Sequence, residues 1–200
     1  MCRKKWFGYH YKSLWEIVSK WPTVYFLTLT IRNIPDDDFG KGQVRRIRTY
    51  FTRLRKAYPQ IKGGFYVVQA TNSGNGWHLH LHVLYDGSFI PQSELSKTWD
   101  RVSCGSRIVY VEKARDPKTG LRYLLSDFSG APRIRAGDVY LYNAVFKSSR
   151  LVQPFGKYRA VKLRVPFKCP NCGSTSWDLL ENIIQAPRRW RHFPDFDEGP

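Results

Sequence analysis

The sequence predicts an α+β fold: one antiparallel sheet with helices behind it, in the order β-α-β-β-α-β. Three features predict it. Several segments rich in β-branched and aromatic residues alternate with a period of two. Two segments between them repeat apolar residues every three or four positions. The second and third strand segments lie so close together that they form a hairpin. That order is the split βαβ, or ferredoxin-like and RRM-like, pattern, whose open sheet face can hold a site. At 200 residues the chain can bury one ordinary core with a small appendage. The expected division is a main domain over 1–165, with its core at 22–150, and a C-terminal element over 166–200.

The stretch HYKSLWEIVSKW, residues 10–21, carries Leu14, Trp15, Ile17, Val18 and Trp21 at helical spacing and predicts a helix packed on the body. TVYFLTLTIRN follows as the first strand, with Leu27, Leu29 and Ile31 facing one way and Phe26, Thr28 and Thr30 the other. Over residues 42–58, Val44, Ile47, Phe51, Leu54 and Tyr58 form an apolar stripe, and Pro59 ends the helix. Its other face carries Arg45, Arg46, Arg48, Arg53, Arg55 and Lys56, either as a solvated surface or as a phosphate-contacting stripe.

GGFYVVQA is the second strand and TNSGNG the loop after it. The third strand, within GWHLHLHVLYDG, places His78, His80 and His82 on one face and Leu79, Leu81 and Val83 on the other. One imidazole on a strand is ordinarily just solvated. Three on one stripe point to metal binding, because neutral imidazole is the commonest protein metal ligand. IPQSELSKTWDRV is the second helix, capped near Ser93 and buried through Leu95, Trp99 and Val102, and SRIVYVEKA is the fourth strand. DPKTG reads as a turn into LRYLLSDF, a short helix that carries Tyr123; VYLYNAVF reads as another helix, and RLVQPFGKYRAVKLRV as basic and strand-like.

Thirty-three basic against 16 acidic residues leave a net charge of +17. Such an excess repels itself in a compact state and suits a polyanion, nucleic acid first and a membrane surface second. No apolar run is long enough to span a bilayer, and the N-terminal residues lack the apolar centre of a signal peptide. The expected location is therefore cytoplasmic, with no membrane partner. Basic residues recur among aromatics in RKKWFGYHYK, KYRAVKLR and RRWRHF. Cations neutralise phosphates and aromatic rings stack on unpaired bases, so single-stranded nucleic acid is the expected partner. CPNCG, with Cys169 and Cys172, is half of a zinc ribbon or knuckle. A closed site needs four ligands, to which Cys2, His10, Cys104 or His192 could contribute; the other reading is a reduced pair without Zn²⁺.

FLTLT, then GWHLHLHVL, then the tyrosine in LRYLLS resemble, in that order, the three motifs of HUH endonucleases. The chain is most similar to the single-tyrosine rolling-circle replication initiators of plasmids and phages, over roughly residues 22–173. RLVQPFGKY also looks like the stretch that follows their tyrosine helix. The resemblance implies a nickase and strand transferase that cuts single-stranded DNA at a replication origin through a 5′-phosphotyrosine link. It implies Tyr123 as nucleophile, with Tyr140 and Tyr142 as competitors. It implies His80 and His82 as metal ligands for Mn²⁺ or Mg²⁺, with Gln69 where relatives carry Glu. His78 is then an extra ligand, a substrate contact, or a bystander on the same face. Ser126 stands where relatives carry Lys, Arg122 is a possible substitute, and Asp116 and Asp127 are possible bases for the terminating step. Arg45, Arg46, Arg48, Arg122, Lys157 and Arg159 are candidate DNA contacts. No GxxxxGK[ST] phosphate loop is present, which implies a host helicase. A transposase or relaxase is the nearest enzyme alternative, and an RRM-like non-catalytic binder the alternative from a different class.

Overall fold

The structure, a computed structural model, describes residues 3–129, 134–146 and 152–163, and of residues 3–9 and 126–129 the backbone alone. These lie within Arg3–Val165, one of two compact units; Cys169 and Cys172 belong to the other and lie outside the described residues.

Five strands make one antiparallel sheet: β1 (Val24–Thr30), β2 (Ile61–Thr71), β3 (His78–Gly87), β4 (Val109–Lys113) and β5 (Val152–Gly156), in the spatial order β4-β1-β3-β2-β5. Helix α2 (Lys41–Ala57) joins β1 to β2, and α3 (Gln92–Ser103) joins β3 to β4. Each connects two parallel strands with a third paired between them. This is the split βαβ arrangement, and the fold is α+β as predicted, consistent with the ferredoxin-like pattern. β5 adds a strand at the β2 edge.

Strand alternation sorts the residues into two cores. Leu27, Leu29, Leu79, Leu81, Val83, Val109 and Val111 face the layer of α2, α3 and α5 (Val139–Phe146), where Ile47, Phe51, Leu54, Trp99, Val145 and Phe146 meet them. Val24, Phe26, Phe65, Val67 and Leu84 face the opposite way, against α1 (Arg3–Val18) and α4 (Pro117–Ser129) through Leu14, Val18, Leu121, Leu124 and Leu125. The expectation of one wholly open sheet face is therefore corrected. Among the described residues α1 and α4 pack over the part that carries Phe26, Phe65 and Leu84, while Thr28, His78 and His80 on the same face keep partial exposure.

Element ends differ from the sequence reading for local reasons. α1 begins well before residue 10 and stops at Val18, where Lys20 and Trp21 N–H groups close i→i+3 bonds ahead of Pro22. Trp21 folds down instead and stacks on Phe65 and Tyr158. α3 begins after Pro91 with no side-chain cap, so Ser93 does not cap it. Pro117–Gly120 of DPKTG is the first turn of α4 rather than a turn ahead of it. The Asp116 carboxylate accepts hydrogen bonds from the N–H and hydroxyl of Thr119, both at 2.8 Å, and Pro117 takes the first helical position.

Tight packing holds the strands against each other and α4 against the sheet. A Cβ on Gly120 would lie 2.9 Å from Leu84 Cδ1, so its absence brings α4 close to the strands. On Gly64 in β2 a Cβ would lie 2.0 Å from the Leu84 carbonyl oxygen. Gly64→Ala is expected to destabilise the fold by about 3 kcal/mol, read as a lower urea midpoint at unchanged slope.

Candidate active site at the open end of the sheet

Register builds the site. Thr28 pairs with His82 and Thr30 with His80 between β1 and β3, while Gln69 of β2 pairs with His80. All five side chains therefore share the face that Phe26 and Leu84 share with α4. Thr30 Oγ1 lies 3.0 Å from His80 Nδ1, and Thr28 Oγ1 lies 3.2 Å from His82 Nδ1. A threonine hydroxyl behind each imidazole can fix its ring orientation and tautomer. FLTLT in β1 is thus explained: its leucines pack inward and its threonines back the histidines.

His82 Nε2 lies 3.0 Å from Gln69 Oε1. With the proton on Nε2, His82 donates to Gln69 and accepts from Thr28. With the proton on Nδ1, it donates to Thr28 and turns a lone pair outward beside the amide oxygen. The second tautomer suits a cation. Two adjacent ligands on an octahedral ion, each at about 2.1 Å, lie about 3.0 Å apart, so the spacing of these two atoms fits such an ion. The His80 and His82 rings are 6.0 Å apart between centres and lie 24° from parallel. Among the described residues no group of three His, Cys, Asp or Glu side chains forms a metal cluster. The donor set is two imidazoles and one neutral amide.

Burial sets the charge state. His82 is buried, and desolvation lowers its pKa from the ordinary 6.5 to about 4; His10, buried on α1, is lowered to about 4 for the same reason. Both imidazoles are therefore neutral at neutral pH, the form that can ligate a metal. Because each folded pKa lies below the unfolded one, the unfolded chain binds more protons between pH 6.5 and 4. Stability in chelator is expected to fall as pH drops through that window, by on the order of 3 kcal/mol from each histidine. His10→Leu should flatten the pH dependence of the urea midpoint by roughly half.

Tyr123 stands on α4 above this face, half exposed. Its ring meets Phe26 edge-on at 4.2 Å and His82 edge-on at 6.2 Å between centres. The leucines of LRYLLS set this position: Leu121, Leu124 and Leu125 are fully buried against the sheet, so Tyr123 falls on the flank of the helix. The competing tyrosines lie elsewhere. Tyr142 stacks on Trp77 and meets Phe146 at a tilt in the α2–α3–α5 layer, across the sheet from the histidines. Tyr140, on the same short helix, is 78% exposed. Asp116 is engaged as the α4 cap, and those hydrogen bonds from Thr119 hold its carboxyl below the usual range.

Some residues of this face escaped the sequence reading. Tyr110 of β4 pairs with Thr28 and Glu112 with Phe26, and the Tyr110 hydroxyl donates to Glu112 at 2.7 Å. The alternation of IVYVEK held the signal: Val109 and Val111 face the core, so Tyr110 and Glu112 must face the histidines.

The candidate phosphate contacts do not all come together. Arg122 is exposed beside Tyr123 on α4. Lys157 forms an ion pair with buried Asp86, and Arg159 is exposed in the turn after β5. Arg45, Arg46 and Arg48 lie on α2, which packs on the opposite face of the sheet from the imidazoles. The arginine stripe of that helix is thus separated from the site by the sheet itself. Of the candidate zinc ligands, Cys104 is an exposed free thiol in a left-handed helix cap, while Cys2 and His192 lie outside the described residues. Among the described residues no helix is long and apolar enough to cross a membrane.

No family model matches the chain, and no curated protein does. Among solved structures, the chain is similar to the crystal structure of the hypothetical protein ORF119 from Sulfolobus islandicus rod-shaped virus 1. The identity is 18% and the TM-score 0.33, over 62% of this chain and 90% of that one.

Proposed function

We propose that this chain is a metal-dependent endonuclease of the HUH type, which nicks single-stranded DNA and transfers or rejoins strands to start rolling-circle replication. One observation carries the reading: a half-exposed phenol, Tyr123, lies against a buried neutral imidazole, His82, whose Nε2 sits 3.0 Å from a second donor, Gln69 Oε1. The net charge of +17 supports a polyanionic substrate.

The chemistry follows from the residues. Tyr123 Oη attacks the phosphorus of a phosphodiester, the phenol proton leaves, and the bond from phosphorus to the 3′ oxygen breaks. That oxygen takes up a proton and departs as a free 3′-hydroxyl, while the 5′ side stays on the tyrosine. The phosphotyrosine diester keeps the energy of the broken linkage, so a later hydroxyl can reverse the step without a nucleotide cofactor. His80, His82 and Gln69 would hold a divalent ion, Mn²⁺ or Mg²⁺, and that ion would polarise a non-bridging phosphate oxygen. Thr28 and Thr30 keep the two imidazoles oriented, and Phe26 holds the edge of the Tyr123 ring. A separate host helicase would open the duplex, and the CPNCG element is a candidate structural Zn²⁺ site.

A library of single-stranded oligonucleotides with a randomised centre, labelled at the 3′ end, tests the reading. Incubation with the chain and Mn²⁺ is expected to give a denaturation-resistant protein–DNA adduct that carries the label. If no adduct forms with any divalent ion while the DNA is still bound, a non-catalytic single-strand binder takes the place of the nickase.

A further inference from the structure

We propose that the cleft beside His78 is a nucleotide subsite. It takes the nucleotide next to the scissile phosphate, with Arg32 on a backbone phosphate and His78 as a wall of the subsite rather than a third metal ligand. This rests on the nickase reading and adds to it a named place for the substrate.

The cleft opens where β1 runs out and the α3–β4 loop arrives. Its volume is about 460 Å³, and Thr30, Arg32, Asn33, His78, Arg107 and Ile108 line it. That size falls within the range of about 300–1,000 Å³ typical of small-ligand sites. Thr30 belongs to both places: it lines the cleft and its hydroxyl backs His80. A strand whose phosphate sits over the imidazoles therefore has its neighbouring nucleotide at the cleft.

Arg32 is built into position. Its Nε donates to the Gly105 carbonyl at 2.9 Å, and its backbone N–H donates to Ser106 Oγ at 3.0 Å. Ser106 is buried and tied to Ser103 Oγ, which donates to the Trp99 carbonyl. Gly105 has φ +109°, and a Cβ there would lie 2.4 Å from the guanidinium, so only glycine lets Arg32 lie against this loop. The Nε bond leaves the two terminal amino groups of the fork for a phosphate. Among the described residues Arg32 has no carboxylate partner, whereas its neighbour Arg107 is paired with Asp100 at 3.0 Å. Ile108 is 69% exposed and gives the cleft an apolar wall for a base or sugar.

His78 differs from the other two histidines in its support. His80 and His82 each have a threonine hydroxyl within 3.2 Å of Nδ1, whereas His78 makes no side-chain hydrogen bond among the described residues. Its ring stacks parallel to that of His80 at 6.2 Å. A flat, partly exposed imidazole in a cleft suits stacking or hydrogen bonding to a nucleotide better than ligation without a supporting contact.

The test uses the full chain and an oligonucleotide recovered from the adduct library. DNA affinity is measured by fluorescence anisotropy in chelator, Mn²⁺ affinity by electron paramagnetic resonance. Arg32→Ala is expected to weaken DNA binding about tenfold and to lower the slope of log affinity against log salt by about one. Arg32→Lys should restore the slope. His78→Ala should weaken DNA binding about threefold to tenfold and leave Mn²⁺ affinity within about twofold of the parent. Lys97→Ala, on the far layer, supplies the baseline for loss of one charge. The proposal is overturned if Arg32→Ala behaves like Lys97→Ala, or if His78→Ala loses Mn²⁺. Either result with adduct formation intact in the parent removes the subsite alone. Absence of adduct in the parent removes the nickase reading beneath it.

Discussion

Tyr123→Phe is expected to abolish the covalent adduct, a loss of roughly 10³-fold or more, while DNA binding persists. The magnitude follows from chemistry: without the phenolic oxygen there is no atom to form the phosphate ester. The specificity follows from the fold. Tyr123 touches Phe26 and His82 on the open face, and a phenylalanine can keep the ring contact with Phe26 at 4.2 Å. The hydroxyl belongs to a half-exposed side chain, so its removal should leave thermal stability nearly unchanged. Tyr142→Phe and Tyr140→Phe should keep the adduct, because α5 packs on the other side of the sheet. Denaturing gels of the three variants decide the matter. An adduct that survives in Tyr123→Phe and vanishes in Tyr140→Phe would transfer the nucleophile to α5.

The second large effect concerns the donor set. His80→Ala is expected to lower Mn²⁺-dependent cleavage by roughly 10²–10³-fold. His80 is only partly buried, so this variant separates chemistry from folding better than His82→Ala, which would also open a hole beneath a side chain that is 8% exposed. Gln69→Glu is expected to act in the opposite direction on the ion. It replaces a neutral amide oxygen by a carboxylate 3.0 Å from His82 Nε2, and should tighten Mg²⁺ and Mn²⁺ binding about tenfold, with the greater relative gain for Mg²⁺. Isothermal titration with each ion measures this directly. If Gln69→Glu leaves both affinities unchanged, Gln69 is not a ligand and its hydrogen bond serves only to hold the ring.

The histidine stripe was legible because strand alternation is local: His78, His80 and His82 could share only one face once the segment was a strand. The inward stripe of α2 was legible for the same reason, through Val44, Ile47, Phe51 and Leu54. The role of Thr28 and Thr30 was half legible. Their face follows from alternation, but their pairing with particular imidazoles depends on the β1–β3 register, which links residues about fifty positions apart. That Asp116 caps α4 was not legible, because a carboxylate before a proline looks the same in a loop and at a helix start.

What the sequence alone determined about this protein is the period of the described segments, which residues face together along each, and how much net positive charge the chain carries. These depend on backbone geometry within a few residues. Tertiary structure alone decided which layer each helix joins. It put α1 and α4 over part of the face expected to be open, sent the α2 arginines to the far side, and brought Tyr123 to His82 and Arg32 to Gly105. The physical reason is that layers form by burying apolar stripes wherever complementary shape is found, and that choice is made between residues far apart in the chain.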